Sequence, residues 1–75
     1  MSKTLVIKTP DTSRQNWKDI RLALARNGFE IHKYHAALQD GGMCIVADVL
    51  HAETEQAARA VERELTTGTT LSILH

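Results

Sequence analysis

The chain alternates from Thr4 to Lys8, with Leu5 and Ile7 on one side of an extended segment and Thr4, Val6 and Lys8 on the other. Pro10 stops that strand, and Asp11, Thr12 and Ser13 are all good helix N-caps. The pattern then changes period. Trp17, Ile20, Leu24 and Asn27 recur at three- and four-residue intervals, which predicts an amphipathic helix from about Ser13 to Asn27 closed by Gly28. From Phe29 alternation resumes, Phe29 and Ile31 against Glu30 and His32, and it blurs after Lys33, as in an edge strand or at a bulge. The turn signal QDGG at Gln39 to Gly42 joins this strand to Met43–Leu50, an apolar run with one acid that suits an interior strand. A second helical stripe, Thr54, Ala57 or Ala58, Val61 and Leu65, ends at Gly68, and TTLSILH supplies a last strand with Leu71 and Ile73 on one face.

The predicted order is β-α-β-β-α-β in one domain, residues 1–75. Right-handed crossovers make this an α+β, ferredoxin-like sandwich: a four-stranded antiparallel sheet with two helices on one face. Leu5, Ile7, Ile45, Ala47, Val49, Leu71 and Ile73 are expected beneath the helices. Val6, Cys44, Val46, Tyr34, Leu74 and His32 are expected on the helix-free face, which then reads as unusually apolar and as a partner surface.

Composition adds that such a core is marginal. The chain has 75 residues, 43% hydrophobic but only 4% aromatic, so pairing with another surface would help it. One cysteine permits no internal disulfide, no apolar run approaches a membrane span, and the first residues lack a secretion signal's apolar stretch. The expected location is the cytoplasm. Net charge is zero but unevenly spread: residues 1–37 carry seven Lys/Arg against three acids, and residues 38–75 carry two against six. This marks either a basic binding face or two halves that pair with each other.

Four features carry candidate chemistry. The Asp11-Thr12-Ser13 junction at a helix N-terminus suits a carboxylate or small anion, with plain N-capping by Asp11 or Thr12 as the alternative. The histidines His32, His35, His51 and His75 show no metal-ligand spacing, and no metal or other cofactor is expected. Cys44 lacks any nucleophile context beyond a histidine on the adjacent strand. Arg14, Lys18 and Arg21 form a basic face on the first helix, with Glu55, Glu62 and Glu64 of the second helix as possible internal partners. Neutral net charge and the lack of an aromatic in Met43–Leu50 argue against nucleic acid.

The segment Val6 to Val49 resembles an ACT domain. The likeness is carried by LVIKTPD, then an Asp-led turn, then DIRLALARNGFEI, and by the strand after DGG and the second helix. The resemblance implies small-molecule sensing, usually of amino acids, at the loop between strand 1 and helix 1 and at an interface between domains paired side by side. By position this puts Asp11, Thr12 and Ser13 at the site. The family's turn has Pro-Gly after the aspartate where this chain has Thr12-Ser13, so the pairing surface carries over better than the ligand loop. Heavy-metal-associated domains share the topology but carry paired cysteines that are missing here.

The expected function is a non-enzymatic regulatory or protein-interaction module that forms a homodimer and takes an amino acid or small anion. One alternative is an inhibitor or adaptor presenting the basic face to a larger protein or nucleic-acid complex. Another is a small enzyme using Cys44 or a histidine.

Overall fold

A computed structural model describes residues 2–39, 41–65 and 67–74; Asp40 of the predicted turn and the terminal His75 lie outside them. The elements are β1 (Ser2–Thr9), α1 (Arg14–Arg26), β2 (Glu30–Gln39), β3 (Gly42–Leu50), α2 (Thr54–Glu64) and β4 (Thr70–Leu74). The strands form one sheet in the order β2-β3-β1-β4, and every neighbouring pair is antiparallel. The ferredoxin-like arrangement is therefore observed as expected.

One layer of side chains is sealed between sheet and helices. Leu5 and Ile7 of β1, Ile45, Ala47 and Val49 of β3 and Leu71 of β4 are buried against Ile20, Ala23 and Leu24 of α1 and Ala57, Ala58 and Val61 of α2. Each fully buried Leu, Ile or Val contributes about 1.5–3 kcal/mol of transfer free energy. Phe29 closes the end of this core, reached through a left-handed Gly28 (φ 85°) that ends α1. Gly42 is fixed by close approach: a Cβ there would sit 2.1 Å from the Thr9 carbonyl oxygen.

Strand β2 departs from plain alternation at one point. Ile31 stands opposite Val49, and the next paired residue is Lys33, opposite Asp48, so His32 is the extra residue of a bulge. The parity of everything after it flips. Tyr34, expected on the helix-free face, stands instead opposite Ala47 on the helix side. Its ring lies 5.2 Å from that of Trp17.

The helix-free face is also less apolar than expected. Val6, Cys44, Val46 and Leu74 do lie there, and Val46 and Leu74 are exposed. But the strand register sets His35 beside Val46, Ser72 beside Val6 and Lys8 beside Cys44. The Thr4 hydroxyl donates to Asp48 across the same face at 3.0 Å. This is a mixed, wettable surface rather than a greasy one.

Candidate functional site

The junction between β1 and α1 is built from its own hydrogen bonds. Ser13, not Asp11 or Thr12, is the N-cap: its Oγ accepts from the Asn16 amide at 3.2 Å. Asp11 Oδ1 accepts from the Ser13 amide at 2.9 Å, and this bond is the first cause holding the Asp11 carboxyl below its ordinary pKa. Beneath them Asn16 is buried, donating from Nδ2 to Thr9 Oγ1 (3.0 Å) and to the Asp11 carbonyl (2.8 Å). The Thr69 hydroxyl joins Thr9 at 3.0 Å, tying the start of β4 into the same knot. Asn16 stands four residues before Ile20 and seven before Ala23, on the buried stripe of α1; its polar side chain, not its spacing, kept it out of the expected core.

These bonds engage the polar groups of Asp11 and Ser13 that a ligand would need. An open cleft of about 420 Å³ does adjoin the junction, lined by Lys8, Thr9, Pro10, Gln39, Gly41, Gly42, Met43 and Gly68. Asp11, Thr12 and Ser13 are not among the described residues that line it, and of those that do Lys8 is the one with a charged side chain.

The second region is the outer edge of the sheet. β2 pairs with β3 on one side only, and of its ten residues only Ile31 is partly buried. On its helix side Tyr34 is 56% and Leu38 78% exposed. Trp17 is half-buried against Tyr34, with the Arg21 guanidinium carbon 5.8 Å from the indole centroid. This is a long strand edge with unpaired backbone groups and an apolar shoulder.

The remaining candidates are scattered. Arg14, Lys18 and Arg21 are exposed and make no ion pair among the described residues. The bridge between the helices is made by Arg26 with Glu64 instead. Cys44 stands opposite Lys8 and Ala37, while His35 stands opposite Val46, so no histidine is its cross-strand partner. His51 is engaged by both ring nitrogens, Nδ1 accepting from the Glu53 amide at 2.9 Å and Nε2 within 2.7 Å of the Asn27 carbonyl oxygen. With Nδ1 an acceptor, Nε2 carries the proton and donates to Asn27. Among the described residues no group of three His, Cys, Asp or Glu is placed to hold a metal ion. No described helix is long and apolar enough to cross a membrane.

Solved structures share this geometry. An ACT domain protein from Streptococcus pneumoniae superposes with a TM-score of 0.78 at 17% identity, over 99% of this chain and 88% of its own. The chain has the fold of an ACT domain. A prephenate dehydratase from Streptococcus mutans matches at TM-score 0.70 and 19% identity over 97% of this chain. A protein of unknown function from Galdieria sulphuraria matches at 0.78 and 20% over 96% of it. The chain spans about two fifths of the length of these last two, 40% and 42% respectively. No family model matches the sequence, and no curated protein does. At such identities the likeness is one of fold.

Proposed function

We propose that the chain is a non-enzymatic regulatory module that pairs with a second copy of itself through the edge of β2, and that an amino acid, by its carboxylate, or a small anion binds beside the β1–α1 junction. The observation that carries this reading is the ten-residue, one-sided β2 with Tyr34 and Leu38 exposed on its helix side. An uncovered edge of this length is a template for another strand, and antiparallel addition across a two-fold axis joins two sheets into one with all helices on the same side.

The side-chain pattern favours one register. A two-fold axis at Ala36 sets Tyr34 opposite the partner's Leu38, so that both large apolar groups on each copy are covered and the helix-side parity matches. An axis at His35 would leave Leu38 facing the bulge at His32. The ligand arm rests on the resemblance to ACT domains and on the cleft, where Lys8 supplies the charge that a carboxylate needs. The engaged groups of Asp11 and Ser13 support them as the frame of the site rather than as its contacts.

Sedimentation at micromolar concentration tests the pairing. A dimer is expected, weakened by Leu38→Lys at least about tenfold in Kd, or about 1.4 kcal/mol. A strict monomer would overturn the reading. Cys44→Ser is expected to leave both pairing and ligand binding intact, and a catalytic activity that it abolished would favour the enzymatic alternative.

A further inference from the structure

The acids nearest the first helix are already engaged. Glu64 takes Arg26 and Asn27, Glu62 takes Arg59 and the Leu71 amide, Asp19 takes Gln15, and Asp11 takes Ser13. Among the described residues no ion pair joins Arg14, Lys18 or Arg21 to the acids of α2, so the internal neutralisation that the sequence allows is not seen there. Three cations project along one exposed face of α1, with no carboxylate paired to them among the described residues. They lie beside an aromatic pair that holds one of them in place, since Arg21 rests over Trp17 and Trp17 against Tyr34.

We propose that this face of α1 is a docking surface for an extended acidic segment of a partner protein, with Arg14, Lys18 and Arg21 each taking a carboxylate. Charge complementarity names the occupant. The spacing agrees with it: four helical residues advance roughly 6 Å and three roughly 4.5 Å. Alternate side chains of an extended strand lie roughly 6.6 Å apart. Acids at every second position thus meet the three cations with little adjustment of their long, flexible stems. Nucleic acid fits less well. Base stacking needs an open aromatic face, and here the indole is occupied by Arg21 on one side and Tyr34 on another. This surface does not depend on pairing through β2, so the two readings fail separately.

Trp17 is the only tryptophan, and its contact with Arg21 makes its emission the readout. The probe is a synthetic peptide of alternating Glu and Thr, titrated into the full chain at low salt. A saturable change in emission is expected, and the matching Lys-Thr peptide should give none. R14E/K18E leaves the Arg21–Trp17 contact in place and alters only exposed positions. It should weaken binding at least about tenfold. R14Q/K18Q should fall between it and the unaltered chain. Added salt should weaken binding as well, since exposed charges are screened. The proposal is overturned if the acidic peptide produces no saturable change, or if R14E/K18E binds it as the unaltered chain does. It is equally overturned if single-stranded RNA of the same charge binds as tightly, because the face would then be a generic polyanion sink.

Discussion

Strands β1 and β2 are nearly the same length, eight and ten residues, and meet opposite fates. β1 has a strand on each side and helices above it, and its Leu5 and Ile7 are wholly buried. β2 has one neighbour, and its Leu38 is 78% exposed. The two leucines do not differ in chemistry. They differ in where the crossovers lay their helices. The β1–α1–β2 connection carries α1 over the intervening β3, and its cover runs out at the Trp17–Tyr34 contact. Leu38 lies four residues farther along the strand, roughly 13 Å away. Position in the sheet, more than hydrophobicity, divides this molecule into a sealed half and an open edge.

The sharpest way to break that comparison is to truncate both leucines. Leu5→Ala is expected to cost about 2–5 kcal/mol of unfolding free energy in urea denaturation, because it empties a site that the core cannot refill. Leu38→Ala should change the stability of the monomer by less than about 0.5 kcal/mol. Equal costs would mean that the edge is covered in solution by something beyond this chain.

Next in size is the polar knot at the end of β1. Asn16→Ala takes the side-chain donor from the Asp11 carbonyl and one of three donors from Thr9 Oγ1, which keeps those of Thr69 and the Asp11 amide, for an expected loss of about 1–3 kcal/mol. Ser13→Ala removes only the cap and should cost about 1 kcal/mol. If Ser13 proved the costlier of the two, the buried amide would be spectator to the cap, and the junction would owe its shape to the helix alone.

These sites also show what could be read from sequence. Alternation in β1, the apolar run of β3 and the stripes of both helices were legible because each element buries a face in the core, so that the hydrophobic pattern and burial coincide. β2 was legible as a strand but not in its facing. The blurred alternation after Lys33 signalled an edge strand or a bulge, and β2 is both, but it did not place the extra residue: His32 looks like any other polar alternate until the pairing of Ile31 with Val49 and Lys33 with Asp48 is seen. Tyr34 was misplaced for that reason alone. The basic face was visible as a spacing, but its lack of internal partners depends on where the side chains of α2 point. Deleting His32 should therefore leave Tyr34 on Trp17 with little change in Trp17 emission, since the residues on either side already have the parity of a regular strand.

The smallest expected effect concerns how the helix pair is held over the sealed half. Glu64 accepts from Asn27 Nδ2 at 2.7 Å and pairs with Arg26, joining the end of α1 to the end of α2. The Asn27 hydrogen bond is the first cause lowering its pKa from the ordinary 4.5; the nearby Arg26 charge acts the same way, and partial desolvation opposes both. A carboxylate whose pKa is lower in the folded state than in the unfolded one stabilises the fold above its unfolded value, and that contribution is lost as pH falls through the lowered value. Asp11, lowered by Ser13, acts with the same sign. Stability should therefore decline below about pH 4.5, and Glu64→Gln should flatten part of that decline while Asp11 preserves the rest. Because Glu64 is open to water, the difference should shrink further in high salt. An acid limb with the same slope in the unaltered chain and in Glu64→Gln would show that the seam between the helices is held by Ile20, Leu24, Ala58 and Val61, with the ion pair adding nothing.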